Sequence, residues 1–419
     1  MKAFWNIKSK NKSAAIIFGF CLILVITSLR TLRLPNDWAE GHWLLNYDYG
    51  FIKRLLPGTI FKPLIYSNGA SNAEFYISLI SSFILFVFYS VLIYICIQVA
   101  KKNEFSISSV LIIILFLTSP YIVMSAHLIG YTDNILIISS IIAMWLVIRK
   151  HIWTASVIIF ITVFIHENIL LIGLPSVICI IYFQHLKEKN PTNKPVKRFL
   201  ITYSPLFLLP LLAFIIILFN QILYVNEGLE KQFVNHLSKF DFIEEDRNYL
   251  VPEELTKSYS VYLEAESPKF FRRITSPLNI IRNILPLIFI LIFTRRFIKS
   301  TGISKSFIIV VLAVVFLPLT LHLIAWDTPR IWTYPIMTAI LILWGLLVSF
   351  SHVDVKIDES LPFIVLSIVI IIFNLFIHTP LMDEEYERFS NELRILMYFP
   401  PLSLILVSIL KNYTIKKVR

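Results

Sequence analysis

Twelve ionisable residues stand in or beside the polar gaps that interrupt the apolar runs of this chain: Asp37, Glu40, His42, Asp48, Lys53, Arg54, His127, Asp133, His166, Glu167, Asp327 and Arg330. If the gaps are assigned alternately to the two sides of a membrane, all twelve fall on one side, and the other side is basic and nearly featureless. Asp37 and Glu40 are three apart and share a face if the segment is helical. A carboxylate held among aromatics at a membrane boundary has its pKa raised and takes a proton from a hydroxyl as a general base. The same acids after Asn36 also read as the start of a helix. The outer cations Lys53, Arg54, Arg273 and Arg330 suit a phosphate, with the arginine fork gripping two oxygens. They suit headgroup anchoring as well, and Arg330 is spaced to pair with Asp327.

His42, Trp43, Asp48, His127, Asp133, His166, Glu167, Trp326 and Asp327 complete the candidate substrate-binding set. Ionisable groups at such depth are expensive and tend to face a cavity. Trp38, Trp43, Tyr47, Tyr49 and Trp326 offer flat faces that fit a sugar ring and a lipid interface equally well. His127, Asp133, His166 and Glu167 are chemically able to bind zinc or manganese. There is no HExxH, no CxxC and no close histidine pair, so no cofactor is expected, with a divalent metal as the lesser alternative. GxSxG, GxGxxG and GxxxxGK[ST] patterns are absent from a chain with only ten glycines, which argues against a serine hydrolase and a soluble nucleotide site. The run Glu244-Glu245-Asp246 reads as a solvated face.

These residues need a scaffold. The chain has 419 residues, 57% hydrophobic and 16% charged, with a mean hydropathy of +0.75. Runs of about 18 or more apolar residues are long enough to cross roughly 30 Å of hydrocarbon. The expected architecture is an all-α, polytopic helical membrane protein of about twelve spans: 14–29, 75–99, 106–123, 134–149, 152–166, 169–184, 199–224, 279–295, 306–324, 332–350, 361–379 and 396–410. The fifth and sixth are separated only by His166-Glu167-Asn168, so they form two short spans or a re-entrant pair. Three regions follow: an N-terminal transmembrane half at 1–224, an outer insert at 225–278 expected to be a small helical cap, and a C-terminal transmembrane half at 279–419. The first outer loop, 30–73, is expected to carry juxtamembrane helices, with Trp43-Leu44-Leu45 and Phe51-Ile52 lying on the membrane surface.

The formal net charge of +11 sits beside the spans, which argues for membrane orientation and against nucleic acid. With the N-terminus inside, Lys and Arg greatly outnumber Asp and Glu in the inner gaps, and acids are in excess outside. The basic tails Lys101-Lys102, Arg149-Lys150, Arg295-Arg296 and Lys416-Lys417 all agree. Both termini are therefore expected in the cytoplasm, and the basic start followed by an apolar run reads as an uncleaved signal anchor. Cys21, Cys96 and Cys179 all lie in apolar runs, so no disulfide framework is implied.

With an inside N-terminus, about a dozen spans and acids in the first outer loop directly after span one, the chain resembles the GT-C superfamily of glycosyltransferases. In size and layout it is similar to bacterial serotype-converting O-antigen glucosyltransferases. The resemblance covers the whole chain in architecture but is thin in motifs: the family's first-loop acidic signature falls on Asp37 and Glu40, three apart where the family has Asp-x-Asp. It implies a bacterial inner-membrane enzyme with a periplasmic site. Such an enzyme moves a sugar, glucose by this resemblance, from a polyprenyl-phosphate carrier to a glycan or lipid-linked glycan by single displacement. Asp37 or Glu40 would be the base, and Arg330, Lys53, Arg54 or Arg273 would steady the departing phosphate. Membrane lipids are the other expected partner. The competing readings are an O-antigen or capsule polymerase, a membrane acyltransferase using His127 or His166, and a transporter or flippase. No internal repeat favours the last of these.

Overall fold

The computed structural model describes residues 2–67, 69–187, 195–303, 306–350, 360–382 and 385–417, and among these no strand occurs. The first region holds α1 (Lys2–Leu29), α2 (Asp37–Leu44), α3 (Leu56–Ile65), α4 (Ala73–Lys102), α5 (Ile107–Leu117), α6 (Pro120–His127), α7 (Asp133–Ile148), α8 (Ile152–Ile165), α9 (Ile169–Ile172), α10 (Leu174–Lys187), α11 (Pro195–Thr202) and α12 (Pro205–Tyr224). The outer insert folds as α13 (Glu227–Leu237), α14 (Glu245–Thr256), α15 (Tyr259–Glu266) and α16 (Phe270–Ile274). The last region contains α17 (Pro277–Ser300), α18 (Phe307–Phe316), α19 (Thr328–Ser349), α20 (Leu361–Phe376) and α21 (Asn391–Lys417).

Every expected apolar stretch is helical. Among the described residues, seven helices are long and apolar enough to cross a membrane: α4, α5 with α6, α9 with α10, α12, α17, α19 and Asn391–Ile409 of α21. Five more apolar helices are shorter: Ser13–Leu29, α7, α8, Phe307–Leu323 and α20. The chain is thus an all-helical protein with the apolar helices of an integral membrane protein.

Proline sets several of the starts. It occupies the first turn of α3, α6, α12, α17, α19 and α20, where its missing N–H would be unpaired in any case. The stretch 152–184 does break at His166–Asn168, between α8 and α9. The largely buried α19 is the central helix, and α17, α18, α10, α7, α6 and α4 pack around it. α1 lies along α21, and α8 along α12.

A second apolar core sits at the end of the bundle that carries the candidate residues. Trp43, Leu44, Leu45, Ile52, Leu55 and Ile65 of the first loop meet Ile77 and Ile80 of α4. The insert closes the core with Leu229, Phe233, Leu237, Phe240, Val251 and Leu255. This corrects the expectation that Trp43-Leu44-Leu45 lie on the membrane surface. The insert covers these residues, because protein offers them the same relief from water that lipid would. Close backbone approach fixes the loop: a Cβ on Gly58 would fall 1.9 Å from the Leu45 carbonyl oxygen. Gly130, at φ +89°, turns the chain between α6 and α7 and accepts the Trp43 indole N–H at 2.7 Å.

Candidate functional site: an ion-paired pocket at one end of the bundle

The Asn36 side chain accepts the Ala39 N–H at 3.2 Å and starts α2, as the helix-start reading of this segment requires. That places Trp38, Ala39, His42 and Trp43 along one wall of a pocket that opens to solvent. Arg54 and Pro57 come from the turn into α3, Tyr131 to Asp133 from the turn into α7, and His166 from the break after α8. Arg247 and Glu254 descend from α14, Trp326, Asp327 and Arg330 from the start of α19, and Met382 from the segment after α20.

Two ion clusters organise the walls. Arg54 bridges Glu167, with Nη2 donating to Oε1 at 2.6 Å, and Glu254. It adopts φ +64°, a left-handed conformation that costs a non-glycine residue about 1–2 kcal/mol. Its two carboxylate partners hold it there, as surroundings must where backbone strain persists. Burial works against a charged guanidinium, yet Glu167 and Glu254 keep Arg54 well above its ordinary value. Burial likewise opposes ionisation of Glu167, but Arg54 and His166 hold it well below the usual carboxylate range. Glu254 is lowered in the same way against its burial, by Arg54 and then His42.

The second cluster centres on Arg330. It donates to Asp327 Oδ2 at 2.7 Å and lies 3.8 Å from Asp133 Oδ2, and Asp133 also accepts the Tyr334 hydroxyl. Asp327 Oδ1 is buried with no hydrogen-bond partner. Burial raises the Asp327 carboxyl above its ordinary value in spite of Arg330. A carboxylate with one tethered oxygen, one unengaged oxygen and raised basicity is suited to accept a proton.

His42 donates Nδ1–H to the Trp38 carbonyl at 2.7 Å, and its Nε2 lies 3.6 Å from Glu254 Oε2. Burial lowers its pKa, and Glu254 opposes that shift. Arg247 stacks over the Trp38 ring at 5.7 Å and, unlike Arg54 and Arg330, makes no carboxylate pair among the described residues.

The pocket therefore brings together His42, Trp43, Arg54, Asp133, His166, Trp326, Asp327 and Arg330. Glu167 stands directly behind Arg54. The other candidates lie elsewhere. Asp37 accepts the Glu244 N–H at 2.8 Å and so caps the entry to α14. Glu40 is buried outside the pocket lining, where burial, Glu74 and Asp37 push its carboxyl up to about 8.

Lys53 is fully buried, donating to the Lys257 carbonyl at 2.7 Å beneath the rings of Tyr259 and Tyr262. Burial pushes it down to about 7, while the two ring faces favour its charged form. Asp48 pairs with Lys62 at the surface. His127 is enclosed 3.8 Å from Glu385. Arg273 joins Glu266 to the Ala325 carbonyl.

Three contributors escape sequence reasoning: Tyr131, Arg247 and Glu254. Glu254 lies on an unremarkable helical face and reaches Arg54 across 200 residues, so no local spacing marks it. Among the described residues, no group of three or more His, Cys, Asp or Glu is placed to hold a metal ion. No family model, curated protein or solved structure matches the chain.

Proposed function

We propose that the protein is a membrane glycosyltransferase of GT-C type. It takes a sugar from a polyprenyl-phosphate carrier and passes it to a glycan acceptor outside the cytoplasm. The helices are read as about twelve spans in an inner membrane, with both termini in the cytoplasm and the pocket facing outward. The observation that carries this reading is a single pocket that combines Asp327, with its unengaged Oδ1, three arginines and the indoles of Trp38 and Trp326.

Asp327 is assigned the base that takes the acceptor hydroxyl proton as the hydroxyl oxygen attacks the anomeric carbon. The bond to the carrier phosphate breaks in the same displacement, inverting the anomeric centre, and the phosphate leaves with the electron pair. Arg247, which makes no carboxylate pair among the described residues, steadies that leaving phosphate, aided by Arg330. Asp37 and Glu40, which the family resemblance favours as base, lie outside the pocket lining, and Asp37 instead accepts the Glu244 N–H. The pocket's indoles suit the faces of a sugar ring.

The test is transfer from polyprenyl-phosphate-linked radiolabelled sugar in proteoliposomes, with a nucleotide sugar as control. Transfer only from the lipid-linked donor supports the reading, and no transfer from it sinks the reading. Reporter fusions that expose residues 37–54 to the cytosol would reverse the orientation and sink it too. His42, in the pocket lining with its Nε2 toward Glu254, favours membrane acyl transfer as a second reading. In that case the His42→Ala variant would lose activity toward a thioester or acyl-lipid donor, and the sugar donor would be inert.

A further inference from the structure

A second buried polar group lies apart from the pocket lining, where α17 begins. Asn279, Arg282 and Asn283 are at spacings of three and four, so they share one helix face, and all three are buried. Asn283 Nδ2 donates to the Asn279 carbonyl at 2.8 Å, and Asn279 Nδ2 to Ser276 Oγ at 2.9 Å. Four atoms of this face have no hydrogen-bond partner: Arg282 Nε and Nη1, Asn279 Oδ1 and Asn283 Oδ1.

The carboxylate that attracts Arg282 is Glu387, and Arg30 and Arg394 repel it. Glu387 has nothing left to offer. Arg30 grips it twice, at 2.8 and 3.0 Å, Arg394 binds it at 2.7 Å, and the Thr379 N–H donates to it as well. An arginine as little exposed as Arg282, at 8% for the residue, is costly without an anion. Three guanidiniums around one fully engaged carboxylate leave a local excess of positive charge.

We propose that Arg282, Asn279 and Asn283 form a seat for the phosphate of an anionic lipid whose headgroup also carries hydroxyls. The phosphate oxygens accept from Arg282 Nε and Nη1, the forked geometry guanidinium favours. Headgroup hydroxyls donate to the two asparagine oxygens. Arg282 lies about 7 Å along α17 from its start, at 1.5 Å per residue, a depth suited to a headgroup at the membrane boundary. The site is independent of the glycosyl-transfer reading, since it is defined by binding and shares no residue with the pocket.

The experiment is native mass spectrometry and thermal unfolding of the purified full-length protein. Probes are phosphatidylglycerol, phosphatidylcholine and inorganic phosphate, against wild type, Arg282→Met and Arg282→Lys. Wild type is expected to retain phosphatidylglycerol at least tenfold better than phosphatidylcholine and to melt several degrees higher with it. Arg282→Met is expected to lose both effects and Arg282→Lys to keep part of them.

Without lipid, Arg282→Met is expected to melt no lower than wild type, because it removes an unpaired buried charge. A lower lipid-free melting point would show that Arg282 already has a partner and would overturn the site. So would unchanged phosphatidylglycerol binding by Arg282→Met, which would leave only water on the guanidinium. An Arg282-dependent shift from inorganic phosphate equal to that from lipid would support the phosphate seat and give it to a soluble anion.

Discussion

Two ion clusters at the same end of the bundle are built as inverses. At the pocket, one arginine, Arg54, lies between two carboxylates, Glu167 and Glu254. Beside α17, one carboxylate, Glu387, lies between two arginines, Arg30 and Arg394, and all three side chains are completely buried. The first cluster borders a cavity where its surplus acid can meet water or a substrate. The second is sealed, and its surplus positive charge is fixed in the protein interior. Acids held ionised beside an opening fix the wall of the pocket, and the sealed cations are matched to the one anion they already hold, Glu387.

The largest expected effect comes from cutting the sealed cluster. Glu387→Ala strands two buried guanidiniums and should cost about 3–5 kcal/mol, read as loss of folded protein after detergent extraction. Arg54→Ala strands two carboxylates that the pocket can hydrate, so about 1–3 kcal/mol is expected. Equal losses for the two variants would break the comparison.

Next comes activity. Asp327→Asn should lower sugar transfer by about 10²–10⁴-fold, the usual range for a general base. Asp37→Asn and Glu40→Gln should each lower it less than about tenfold, as outlying supports do. The opposite ranking would return the base to the first loop.

A smaller effect sharpens the role of Glu40. Its folded-state value of about 8 lies above the ordinary 4.5, so the native state keeps a proton that the unfolded chain releases. Glu40's own contribution to stability should therefore fall as pH rises from about 5 to about 8 and level off above that. It is read as the difference between the melting curves of wild type and Glu40→Gln, and a difference that stays constant across the range would contradict it. Smallest of all, Trp38→Ala should weaken substrate use by a few-fold, consistent with about 0.5–1.5 kcal/mol for an aromatic face. The measurement is KM with kcat as the control.

The helices were legible because apolar length and proline starts are local signals. All twelve stretches are helical, and the break at His166–Asn168 falls where polar residues interrupt the run. Seven helices reach spanning length, while α7, α8 and α20 are shorter, since polar residues and turns close them early. The crowding of Arg54, Asp133, His166, Asp327 and Arg330 toward one end was also legible, from alternation alone. Their partners were not. Arg30 meets Glu387 across 357 residues, and Tyr334 meets Asp133 across 201. Such pairings depend on how helices close in space, which no spacing encodes. Asp37 shows the same limit: an acid beside the first apolar helix is conspicuous, yet its oxygen caps a backbone N–H of the distant insert.

The core shared by the first loop and the insert has a consequence for synthesis. Leu44, Leu45 and Ile52 emerge early, but the Val251 and Leu255 that cover them are made about 200 residues later, the separation of Arg54 from Glu254. At ribosomal rates of about 5–20 residues per second, the loop waits roughly 10–40 s with its greasy side uncovered. During that interval a chaperone, the translocation machinery or the lipid surface must shelter it, so the pocket is finished late in the birth of the chain.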